Sequence, residues 1–158
     1  MNELITYTLV TATVPRGYDI GALRSMLGKA AGEWNKVFKG TATLFEVKNS
    51  GDILIKFGAI NRAAFPDRIA ECRDLPGKRW EVVFAIDRKW QVSRFSRLFG
   101  IGESFLCAAT HEFGHVFDLP HSADERDVMA PSCDRWKISD EETVMYREQF
   151  QSVIRQPI

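Results

Sequence analysis

Histidine, cysteine and long apolar runs are what this chain of 158 residues has least of, and each scarcity excludes something. No stretch approaches the roughly 20 apolar residues that a membrane-spanning helix needs, so no membrane partner is expected. Neither sign of charge is in surplus, with 21 Lys and Arg against 21 Asp and Glu. Nucleic-acid binders carry a basic excess or a basic stripe, so nucleic acid is not an expected partner either. Cys72, Cys107 and Cys133 are odd in number and widely spaced, which argues against a disulfide framework and for buried free thiols. The first eight residues lack a basic segment followed by an apolar one. They read as a strand rather than a signal peptide, and the compartment stays unassigned. Repeats, low-complexity tracts and linkers are absent as well, so one domain over residues 1–158, working as a monomer, is expected.

What is present suits a globular α+β domain: 45% hydrophobic and 27% charged residues. Ile5 to Val10 alternates and predicts a first strand. Ile20, Leu23, Leu27, Ala30, Trp34, Val37 and Phe38 trace one helical face, predicting a long amphipathic helix over 19–38. Strands follow at Ala42 to Val47, Ile53 to Phe57 and Trp80 to Ile86. Between the last two, Gly58 to Phe65 is the candidate for a short edge strand. Ser104 is a suitable N-cap for a helix to about Phe117, and Ser139 with Glu142 forms a capping box for a last helix to about Ile154. Residues 118–138 have no regular pattern.

All three histidines fall within residues 111–121, in Thr110-His111-Glu112-Phe113-Gly114-His115-Val116-Phe117-Asp118-Leu119-Pro120-His121. Residues four apart share a helix face, so His111 and His115 can offer two imidazoles to one ion, with Glu112 beside them. One helix cannot surround a tetrahedral ion. Pro120 disfavours continuing the helix and biases Leu119 to extended backbone, so the chain can turn and bring His121 to the open side. Three nitrogens and a vacant position describe a catalytic zinc site, whereas a structural one would favour four protein ligands.

This motif resembles the metzincin zinc signature, His-Glu-x-x-His-x-x-Gly-x-x-His, and within that clan it is most similar to matrixins. Asp127-Val128-Met129-Ala130-Pro131, eight residues past His121 at its methionine, resembles the family's Met-turn, with Met129 as an apolar floor under the metal. The resemblance extends at low stringency over nearly the whole chain. It implies a zincin-like fold with a twisted, mostly parallel sheet, one antiparallel edge strand, two long helices and a C-terminal helix. It implies a zinc endopeptidase acting on extended polypeptides, with His111, His115 and His121 on the metal and Glu112 as general base for a zinc-bound water. It also implies a substrate edge near Ala59 and Ile60, and a pocket wall from Ala130, Pro131, Ser132 and Cys133. Cys107, one turn before His111, borders the same pocket on this reading.

Three departures from the family pattern matter. The loop that carries a structural zinc and calcium in many matrixins is missing after Phe57, and Arg62 stands where a structural-zinc histidine is expected. One catalytic Zn2+ and no calcium are therefore expected. Asp118 replaces the motif glycine. It can occupy a left-handed turn, replace His121 on the metal, or accept a hydrogen bond from a ligand histidine. Two other functions stay open at this level: a zinc-stabilised domain that holds an extended partner peptide, and a zinc hydrolase acting on something other than a polypeptide.

Overall fold

The computed structural model describes residues 3–132 and 134–154. The chain runs β1 (Glu3–Leu9), a 3-10 turn (Thr11–Thr13), α1 (Ile20–Phe38), β2 (Ala42–Glu46), β3 (Ile53–Gly58), β4 (Ala70–Leu75), β5 (Arg79–Ala85), α2 (Arg94–Leu98), α3 (Phe105–Val116) and α4 (Asp140–Ile154). The sheet order is β2-β1-β3-β5-β4. Every pairing is parallel except β4 with β5, which is antiparallel at the edge. Parallel neighbours need a long crossover, and α1 supplies the one between β1 and β2.

Local chemistry fixes these elements. Asp19 caps α1 by accepting from the Ala22 amide at 2.9 Å, and Lys39 ends it in a left-handed conformation. β3 alternates as expected, with Ile53, Ile55 and Phe57 buried and Leu54 and Lys56 half-buried. Gly51 is required where it stands, because a Cβ there would come 2.8 Å from the Tyr7 carbonyl carbon and 2.9 Å from the Thr8 nitrogen. The next residue, Asp52, accepts from the Thr6 amide and hydroxyl at 2.8 and 2.7 Å, tying the turn to β1.

α1 and α3 pack against each other and against the sheet. Phe113 of α3 meets Tyr7 of β1, and Phe105 meets Phe57 and Phe84. The Trp34 indole donates to the carbonyl of Thr110 at 2.8 Å, fixing α1 against the turn that leads into His111. Every α3 residue except His115 is buried. Such a helix should be apolar all round, so its polar residues Thr110, His111 and Glu112 require partners or a task.

Two expectations need correction. The edge strand is Ala70–Leu75, not Gly58–Phe65: Asn61 turns the chain by accepting from Ala63, and the Arg68 amide closes a second turn on Phe65. β4 reads Ala-Glu-Cys-Arg-Asp-Leu, an edge sequence protected by charge rather than marked by apolar alternation, which hides it from a hydrophobic pattern. The short helix α2 is the other omission, lying where no element was expected.

Candidate active site

The end of α3 explains how His121 comes round. The Leu119 amide bonds the Gly114 carbonyl and the Asp118 amide bonds that of His115, the double closure of a Schellman motif. That motif needs a left-handed residue, and Asp118 takes it at φ 59°. Asp118 is exposed and lies outside the three-histidine donor cluster. The His115 Nδ1 bonds the Leu119 carbonyl instead, at 2.8 Å.

His111 Nδ1 bonds the carbonyl of Val128 at 2.9 Å. A carbonyl only accepts, so both rings carry their proton on Nδ1 and present a lone pair at Nε2. Those Nε2 atoms lie 3.0 Å apart, and His115 Nε2 lies 3.2 Å from His121 Nε2. A tetrahedral zinc with nitrogens at about 2.0–2.1 Å separates its ligands by about 3.3 Å, so the spacing fits. Burial pushes His111 down to about 4 and lowers His115 and His121 as well, keeping the rings in the neutral form that binds metal.

Glu112 is 5% exposed, and its Oε2 has no hydrogen-bond partner among the described residues. Burial pushes its carboxyl up to about 8; the charge of Arg68 works against this and that of Glu71 with it. An orphaned buried carboxyl oxygen in the cavity that three clustered histidines also line is an incomplete arrangement, which a cation and a water would complete.

The segment after the third histidine braces the site. Met129 accepts from the Ser122 amide at 2.9 Å, and its own amide bonds Asp127 Oδ1 at 2.7 Å. α4 holds this turn from behind: Glu142 accepts from the Val128 amide at 2.8 Å, and the Tyr146 hydroxyl bonds Asp127. Gly114 makes room, because a Cβ there would lie 2.2 Å from the Met129 sulfur. Met129 is thus packed directly against the helix that carries the histidines.

A cavity of about 880 Å³ opens over the site. His111, Glu112, His115 and His121 line it together with Ala70, Glu71, Cys72 and Asp74 of β4 and Ile69 just before that strand. Of the residues proposed for the substrate site, Pro131 and Ser132 line this cavity; Ala59, Ile60, Cys107 and Ala130 do not, and Cys133 falls outside the described residues. The displaced edge strand accounts for Ala59 and Ile60. Cys107 and Ala130 are buried, and Ala108 is the α3 residue that reaches the cavity ahead of His111. Cys72 stays a thiol, pushed up to about 12 by burial and then by Glu112. Among the described residues Arg68 is the one Lys or Arg on the wall, against six carboxylates besides Glu112, so the wall is acidic.

Sequence reasoning missed Arg68, Glu71 and Cys72, although their neighbourhood carries a signal. Glu71 and Arg73 alternate with Ala70 and Cys72 at a period of two, the pattern of a charged edge strand.

The matrixin peptidase family model (Peptidase M10) matches residues 1–155. The chain belongs to the matrixin family. Over 57 residues it is 40% identical to matrilysin from Felis catus, a match covering 36% of this chain and 20% of that protein. It thus spans about a fifth of the length of the curated relative it matches. At family level matrixins are zinc-dependent endopeptidases, metalloprotease hydrolases acting on polypeptides. This member carries a cluster of three histidines that could hold a metal ion.

Proposed function

We propose that this matrixin is a zinc-dependent endopeptidase in which His111, His115 and His121 hold one catalytic ion and Glu112 is the general base. The observation that carries the reading is the buried, unpartnered Glu112 Oε2 in a residue that lines the same cavity as the three clustered histidines. Bound zinc would supply Lewis acidity, making water a nucleophile near neutral pH and polarising a carbonyl. Glu112 takes a proton at Oε2 and returns it to the leaving amine. Val128 and Leu119 hold two of the rings in the ligating tautomer through their carbonyls. An extended substrate adds to the free edge of β4 through main-chain hydrogen bonds, with Pro131 and Ser132 on the opposite wall. The acidic wall favours peptides with basic rather than acidic residues around the cut.

A zinc-stabilised binding domain explains less. It has no use for a desolvated carboxylate without a partner, which costs stability and would be selected away. Arg62 supports a single ion, since it forms a two-pronged ion pair with Asp87 at 2.7 and 2.8 Å and also bonds the Arg68 carbonyl. That clasp pins the 59–68 loop without a second metal.

The test is digestion of a peptide library by zinc-loaded protein, with and without chelator, alongside metal analysis. One zinc per chain and chelator-sensitive cleavage are expected. Cleavage that survives the chelator, or a second stoichiometric metal, would overturn the proposal.

A further inference from the structure

α2 buries none of its residues. Its apolar side chains face out: Phe95 is 63% exposed, Leu98 76% and Phe99 62%, followed by Ile101 at 44%. Phe95, Leu98 and Phe99 are three and four apart and so share one helical face. The rings of Phe95 and Phe99 meet at 4.6 Å, forming a small apolar cluster open to solvent. Four cations, Arg88, Lys89, Arg94 and Arg97, fall in residues 88–102, with no acidic residue among them. Arg88 faces Glu103 at 4.0 Å, which leaves Arg94 and Arg97 as the basic surplus at the tip.

The loop is held from below. Trp90 bridges Glu103, the Gln91 amide bonds the Glu103 carbonyl at 2.8 Å, and the Glu103 amide bonds Lys89 at 2.7 Å. Gly102, at φ 93°, lets the two arms meet, since a Cβ there would sit 2.4 Å from the Lys89 oxygen. Trp90 is buried against Phe84 and Phe105 and donates to the Ala85 carbonyl at 3.0 Å. At the tip, Ser93 caps α2 and the Ile101 amide bonds the Ser96 carbonyl at 2.8 Å. The result is a closed surface loop that presents apolar groups at little ordering cost.

We propose that residues 91–102 form a membrane-contact surface, docking the protein reversibly on bilayers with anionic headgroups. The mixed chemistry selects this occupant. Phe95, Leu98 and Phe99 can enter the headgroup–acyl boundary while Arg94 and Arg97 pair with phosphates and carboxylates. A soluble polyanion would use the arginines and leave the apolar face wet. A symmetric dimer through this face would bring two copies of the same basic patch into one interface. The inference does not depend on the peptidase reading. It revises the expectation of no membrane partner, which rested on the lack of a spanning helix. Glu103 and Ser104, where the loop ends, line the cavity, so docking would hold the cleft near the lipid surface.

Co-sedimentation with phosphatidylcholine vesicles, with and without phosphatidylserine, tests this at low and high salt. Wild type is expected to sediment with the phosphatidylserine vesicles and to be released by salt. The triple variant Phe95→Ser, Leu98→Ser, Phe99→Ser should lose on the order of tenfold in partitioning. Arg94→Gln with Arg97→Gln should lose a comparable factor on anionic vesicles alone. Thermal melting and zinc content report on folding, and the single variant Leu98→Ser serves if the triple variant misfolds. Absent sedimentation of wild type, or variants that bind like wild type, would overturn the proposal. So would concentration-dependent dimerisation that Leu98→Ser abolishes, which would assign the patch to a second copy.

Discussion

Residues 118–139 and 91–102 both lie outside the sheet and the long helices, yet they are built in opposite ways. The first has no regular secondary structure among its described residues, but it buries Asp127, Val128, Met129 and Ala130 and bonds to His111 on one side and to α4 on the other. The second contains a helix and buries none of that helix. Regular structure is therefore a poor guide to which segment the fold depends on. The irregular one fixes the histidines, while the helical one, anchored by the buried Val92, is a platform that leaves Phe95, Leu98 and Phe99 open to solvent.

Substitutions can break this contrast. The largest stability effect is expected at Gly114, where the helix meets the irregular segment. Gly114→Ala places a methyl 2.2 Å from the Met129 sulfur and 2.9 Å from Trp34. It should cost about 3 kcal/mol, read as a lowered Tm. Glu142→Ala comes next, at about 2 kcal/mol, because it strands the Val128 amide and opens the capping box with Ser139.

The same carboxylate gives a pH signature. Burial raises the Glu142 pKa, but hydrogen bonds from the Ser139 and Val128 amides, the Ser139 hydroxyl and Arg135 outweigh it, leaving the group below its ordinary value of 4.5. A depressed folded value means the stabilisation is whole above the ordinary carboxylate range and is lost as pH falls through the folded value. Acid melting curves should therefore be flatter in Glu142→Gln than in wild type. An unchanged acid limb would place the source of acid sensitivity elsewhere.

Smaller effects sharpen the comparison from the other side. Asp118→Gly relieves a left-handed aspartate and should change stability by no more than about 1 kcal/mol while keeping zinc and activity. His121→Ala should instead cripple zinc affinity, and the reverse pattern would move the third ligand to Asp118. Leu98→Ser, on the exposed platform, should shift stability by less than about 0.5 kcal/mol, and a larger loss would mean that α2 is packed after all.

Much of this was legible in the sequence because single residues carried it. The spacing of His111 and His115, the proline before His121 and the Ser139–Glu142 pair each specify a local geometry that tertiary packing leaves intact. Legibility failed where the partner is distant. Glu142 was readable as a cap, but not as the acceptor for Val128, fourteen residues away. β4 was hidden because the residues that alternate with Glu71 and Arg73 are the small Ala70 and Cys72, a weak apolar signal on a strand with one hydrogen-bonded neighbour. The absence of Ala59 and Ile60 from the cavity wall follows from that one misplacement.

The central claim is that Glu112 moves the proton while the histidines alone retain the metal. Glu112→Ala, loaded with zinc and checked by metal analysis, tests it most directly. The expected result is one zinc per chain with peptide turnover reduced by on the order of 10² to 10⁴. Turnover close to wild type in the zinc-loaded variant would contradict the account.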